Sequence, residues 1–205
     1  MSKKPRAALG FRAHSGWAAV VAVGGSREAP HVLLRARIEL ADSNAPDTMQ
    51  PYHSASELDI GTAERFIVLC AAVARRMARK AMRELVKQLN ESGHTVVACG
   101  NLLGSGHSPA TLAAALASHP MLHTAEGEFY RDALDEASLH LGLKVVGVRE
   151  KEVVALGSAM LGTTSDRLQK TLTDLGKPFG SPWRQDEKLA TLVAWLALAE
   201  NRGRS

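Results

Sequence analysis

Cysteine is scarce in this chain: Cys70 and Cys99 are the only two in 205 residues. Each stands in an apolar run, where cysteine behaves as a small buried hydrophobe. A disulfide framework and a cysteine-rich zinc site are thereby excluded. Aromatic residues make up 4%, so few rings are available to stack on bases. Long hydrophobic runs are also missing, since no window approaches the roughly 18 uncharged apolar residues that a membrane span needs. The basic start Met-Ser-Lys-Lys-Pro-Arg runs into a strand pattern containing Arg12 and His14, not into the apolar centre of a signal peptide. A cytoplasmic location without membrane contact is expected. Charge of one sign is not in great excess. A net charge of +4 with a pI near 9.3 permits an anionic partner without requiring one.

What is present is ordinary globular composition, 45% hydrophobic and 22% charged, and a length that suits one domain. We expect a single α/β domain over 1–205, with residues 1–6 and 201–205 as flexible tails. Ala7 to Ala13 and Trp17 to Val23 are apolar runs, the second β-branched-rich, joined by a short turn. His31 to Leu40 alternates with period two. These three form an antiparallel meander. Residues 42–61 show no sustained period and read as a long loop containing Tyr52-His53.

A helix from Thr62 to Leu89 is the strongest pattern. Cys70, Ala74, Met77, Ala78, Ala81, Leu85 and Leu89 recur at three- and four-residue spacing, the period of one buried helix face. Arg76, Lys80, Arg83 and Lys87 form a basic stripe on its remaining surface, with Arg75 and Arg79 beside them. Thr95 to Cys99 is apolar on both faces, as a central parallel strand is. Beyond it, Ser108 and Pro109 suit the start of a helix that Pro120 would end. Thr124 opens another helix to His140, and Leu143 to Val148 is the fifth strand. Helices near 152–161, 165–175 and 186–200 follow, the last amphipathic through Leu189, Leu192, Val193, Leu196 and Ala197.

This succession of elements resembles the ribonuclease H-like superfamily. At residue level, Leu9-Gly10-Phe11-Arg12-Ala13-His14-Ser15-Gly16-Trp17-Ala18 is similar to the first hairpin of RuvC-type resolvases, and Asp186-Glu187-Lys188-Leu189-Ala190 is similar to their closing acidic helix. The resemblance implies one mixed sheet, three antiparallel strands plus two parallel ones, with flanking helices. It also implies two catalytic metal ions held by carboxylates from the first strand, the fourth strand and the last helix, clamping attacking and leaving oxygens. In this sequence the first-strand position is Arg12, which cannot ligate a cation. No acid stands beside Cys99 or Gly100, and Asp186 alone matches. Two-metal cleavage of the family type is therefore not expected.

The remaining candidates follow from chemistry. Gly100, Gly104, Gly106, His107 and Ser108 suggest a glycine-rich loop at a strand end, where backbone amides and a helix start favour phosphate or carboxylate. No Walker motif accompanies it. Arg12 and His14 would join that anion site. His123, Glu126 and Glu128 lie near a helix start and, with His53, suggest a metal or acid/base group, with Glu128 and Asp186 as metal-ligating carboxylates. Serines beside histidines lack the Gly-x-Ser-x-Gly elbow of hydrolases.

The leading expectation is a non-nuclease binding protein for an anionic ligand such as nucleic acid or a nucleotide. One alternative is a metal-assisted phosphoester or amide hydrolase using His53, His123, Glu126 and Glu128. Another is a scaffolding subunit docking its basic helix on an acidic protein partner. Neither a cofactor nor an oligomeric state is specified by the sequence.

Overall fold

The structure is a computed structural model that describes residues 4–106 and 108–201. Strands β1 (Arg6–His14), β2 (Trp17–Gly25) and β3 (Pro30–Glu39) form the expected meander. β4 (Thr95–Leu103) and β5 (Lys144–Arg149) add to it in parallel with β1, giving one five-stranded sheet of order β3-β2-β1-β4-β5. The expected mixture of three antiparallel and two parallel strands is the one found.

The helices form two layers. Helix α2 (Ile60–Glu91) is 32 residues long and starts at Asp59, whose side chain accepts from the backbone N–H of Thr62. Its buried stripe is Ala63, Cys70, Ala74, Ala78, Met82, Leu85 and Leu89. With α4 (His119–His140) it covers one sheet face through a core that includes Leu9, Phe11, Val20, Cys99 and Tyr130. On the other face lies α7 (Gln185–Glu200), under α5 (Val153–Leu161) and α6 (Ser165–Leu175).

Several expectations are corrected. The stretch 42–61 is not a plain loop, because it holds a 3-10 turn at Pro46–Thr48 and a short helix α1 (Pro51–Ala55). Strand β4 runs on through Gly100 to Leu103 instead of ending at Cys99. Gly100 is therefore a strand residue. A Cβ there would sit 2.2 Å from the Val193 carbonyl oxygen, and one at Gly10 only 1.9 Å from that of Ala190. These two glycines let α7 lie directly on β1 and β4.

Ser108 caps no helix. A five-residue helix α3 (Leu112–Leu116) begins instead at Thr111, whose side chain accepts from Ala114 N–H. Pro120 does not end a helix but stands in the first turn of α4, where its missing N–H costs nothing. Thr124 consequently lies inside α4. Nor is α7 amphipathic, because every residue from Leu189 to Leu198 is buried.

Arg6 and Asn201, expected in flexible tails, are held by the fold. Arg6 already belongs to β1 and donates to the Asn201 carbonyl, while Asn201 Nδ2 donates to Val97.

Candidate functional site: a strand-end ion cluster and a three-histidine cluster

The parallel strands β1, β4 and β5 point their carboxyl ends to one side of the molecule, where ligands collect in such sheets. On the α7 face of that end stands Arg12, whose side chain follows Gly10 toward α7. Its Nη1 donates to Asp186 Oδ1 at 2.6 Å and its Nη2 to Glu150 Oε1 at 3.0 Å. Arg12 and Asp186 are only 21% and 27% exposed, so the pair is partly withdrawn from water and correspondingly stronger than a surface pair. His14 stacks on Trp17 at 4.3 Å between ring centroids. Its Nε2 lies 3.2 Å from Asp186 Oδ1, yet off the angle that a hydrogen bond needs, so this nitrogen is buried without a partner. Asp186 is thus held by a guanidinium.

On the opposite sheet face, at the start of α4, three imidazoles meet. His119 and His123 are one helical turn apart, with their Nε2 atoms at 2.9 Å. His53 comes from α1, its ring 4.8 Å from that of His123 and 5.8 Å from that of His119. One ring nitrogen of each lies within 4.8 Å of those of the other two. Polar contacts hold helix α1 and the turn before it. The Tyr130 hydroxyl donates to the Thr48 and Met49 carbonyls, and Glu126 Oε2 accepts from the backbone N–H groups of Tyr52 and His53.

The same Glu126 oxygen lies 3.1 Å from His53 Nδ1. Glu126 is 2% exposed, and its other oxygen has no hydrogen-bond partner. Burial pushes its carboxyl up to about 7, against the two backbone N–H bonds that favour the ionised form. Burial, followed by the neighbouring His119 and His123's other neighbour His53, lowers the pKa of His123. His123 is accordingly biased toward neutral imidazole, the form that carries a free lone pair.

The expected residues therefore divide. His53, His123 and Glu126 converge; His119 completes the group and was not anticipated. Its sequence signal was available, as His-x-x-x-His places two rings on one helix face. Glu128 belongs elsewhere: its Oε1 accepts from Ser108 Oγ at 2.5 Å. Among the described residues, neither Glu128 nor Asp186 joins a group of three ligating side chains, so the two do not form a common metal site.

Gly104, Gly106 and Ser108 line a cleft of about 540 Å³ together with Glu128, Arg131, Asp132, Asp135 and Arg149. Gly104 makes room for the Arg131 guanidinium and Gly106 for Thr124. This lining has three carboxylates against two guanidinium groups, which does not favour an anion. His107 lies outside the described residues. Arg76, Lys80 and Arg83 are exposed on α2, whereas Arg75 and Arg79 pair with Glu136, and Lys87 lies 3.8 Å from Glu91.

Among solved structures, Thermus thermophilus RuvC in complex with a Holliday junction substrate is similar over 96% of this chain and 95% of that one, with a TM-score of 0.53 and 8% identity. A second Thermus thermophilus RuvC structure covers the same shares, with a TM-score of 0.50 and 10% identity. No family model and no curated protein matches the sequence. The likeness establishes the ribonuclease H-like fold of RuvC. The described residues include no helix long and apolar enough to cross a membrane.

Proposed function

We propose that this chain is a nucleic-acid-binding protein of ribonuclease H-like fold that does not cleave its ligand by two-metal chemistry. The observation that carries this reading is the Arg12 bridge to Asp186 and Glu150. A permanent cation of the protein stands where the resemblance implies divalent metal, and it occupies the one matching carboxylate. A metal ion would have to displace a guanidinium from a partly buried carboxylate and then sit beside it. The fold shared with a resolvase that is solved on a Holliday junction supports a nucleic acid as the ligand.

The basic stripe of α2 supplies the contact surface. Arg76, Lys80 and Arg83 are exposed, and none has a carboxylate partner among the described ion pairs, so each is available to a phosphate. Phosphate contacts release counterions, and their number is read from the salt dependence of binding.

The test is fluorescence anisotropy with labelled duplex and four-way-junction DNA over a salt series, alongside a cleavage assay with Mg²⁺ or Mn²⁺. Binding without cleavage is expected. The triple variant Arg76→Glu, Lys80→Glu, Arg83→Glu should bind more weakly and flatten the logarithmic salt slope by about 2.7, at roughly 0.9 per lost phosphate contact. No binding at low salt, or metal-dependent cleavage abolished by Asp186→Ala, would overturn the reading.

A further inference from the structure

We infer that His53, His119 and His123 form a mononuclear site for a divalent transition metal, Zn²⁺ in the first instance, with Glu126 as the positioning residue that orients His53. The site lies apart from the Arg12 cluster and the α2 stripe, and it goes beyond the nucleic-acid reading.

Four observations carry it. The donors are all imidazole nitrogens, which suit zinc and its neighbours in the first transition row and not the oxygen-preferring Mg²⁺ or Ca²⁺. Their mutual distances fall within 4.8 Å, with one pair at 2.9 Å. Tetrahedral zinc at about 2.0–2.1 Å from nitrogen sets donors about 3.3–3.4 Å apart, so modest ring rotations close the group around an ion.

The Glu126 carboxylate is placed as the carboxylate of a carboxylate–histidine–metal arrangement is. By engaging His53 Nδ1 at 3.1 Å it leaves Nε2 as the free donor and fixes the plane of the ring. Finally, the frame is built before any ion arrives. Glu126 is buried, holds two backbone N–H groups of α1, and is seated one helical turn from His123 on α4.

His119 and His123 are exposed and His53 is partly so. An ion there would have three protein ligands and a solvent-facing fourth position, the arrangement of an open zinc site and not of a closed structural one. The metal would also tie α1 to α4.

The experiment uses the full chain without a histidine tag, stripped with chelator and then titrated with Zn²⁺ by calorimetry, with metal content measured after gel filtration. One Zn²⁺ per chain is expected. Co²⁺ should give a visible absorption band of low-coordinate, nitrogen-bound cobalt. His119→Ala and His123→Ala lie at the surface and leave the core intact; each should weaken binding by about 100-fold and together they should abolish it. Glu126→Gln, checked for fold by circular dichroism, should weaken binding by about 10- to 100-fold, the usual effect of losing a carboxylate behind a ligating histidine. His31→Ala, on β3, should change nothing. Failure of the chain to retain one equivalent of Zn²⁺, or retention that survives the double variant, would overturn the inference. Neither outcome depends on whether the chain binds DNA.

Discussion

Arg12 decides what kind of site the strand end is. Its guanidinium bridges Asp186 and Glu150, and removing it would leave a partly buried carboxylate without its counter-charge, a loss of about 1–3 kcal/mol. Arg12→Lys keeps the charge but not the fork that reaches two carboxylates at once, so it should cost less than Arg12→Ala in urea unfolding. Arg12→Asp is the sharper case. It would set a third carboxylate against Asp186 and Glu150, lowering Tm in the presence of chelator. Mg²⁺ or Mn²⁺ should then restore part of that loss, while leaving the Tm of the unsubstituted chain unchanged. Equal Tm values for Arg12→Asp with and without the ions would show that the backbone there no longer gathers the carboxylates. Gly10 bears on the same strand for a different reason. Its replacement by Ala drives a methyl group onto the Ala190 carbonyl, and backbone cannot rotate aside as a side chain can. A loss of about 3 kcal/mol or more is expected, the upper end for overpacking.

Elements differ in how plainly the sequence announces them. β3 and α2 were legible because buried and exposed positions leave a period in the sequence, and β1 and β2, buried on both faces, because they read as continuous apolar runs. Gly100 and Pro120 misled for a shared reason: each is a punctuating residue whose meaning depends on a neighbour. Gly100 does not stop β4, because α7 packs against its bare Cα. Pro120 opens α4 instead of ending a helix, and that misplaced boundary also hid His119. The pattern of α7 gave one buried face, while α5 and α6 cover the other, a fact that no local period contains. The cleft between β4 and α4 offers an element-scale prediction. Burial and then the nearby Glu128 raise the pKa of Asp132, and burial raises that of Asp135. A carboxyl whose folded pKa lies above its unfolded value of about 3.9 binds more protons in the native state, so stability falls as pH rises through that window. Asp132→Asn should therefore raise Tm slightly at pH 7.5 and have no effect near pH 2.5, well below the unfolded value. Asp132 is exposed, so solvent screening keeps the gain small. A gain that persists at pH 2.5 would have another origin.

At the scale of the molecule, the two clusters lie at the same end of the sheet but in different layers. The Arg12 bridge ties β1 to α7 and to the residue that follows β5, at the rim of the most completely buried part of the fold. Every residue of α7 from Leu189 to Leu198 is 5% exposed or less, and β1, β2 and β4 pack against it. These elements cannot open without exposing both cores, so their amides should exchange only through global unfolding. Helix α1 is another matter. It is five residues long with two of them buried, and Glu126 holds two of its N–H groups while Tyr130 holds the carbonyls of Thr48 and Met49 just before it. Its amides should exchange through local opening, faster than those of α7. If His53, His119 and His123 hold a metal, opening α1 must break a metal bond, and Zn²⁺ should slow exchange across α1 and the first turns of α4. Protection in α7 and β4 should rise only by the amount that ligand binding adds to global stability. Slowing in α1 itself separates an ion that takes His53 from one held by His119 and His123 alone, which would slow only the globally exchanging amides. Slowing in α7 and β4 with none in α1 would mean that zinc does not bridge these helices.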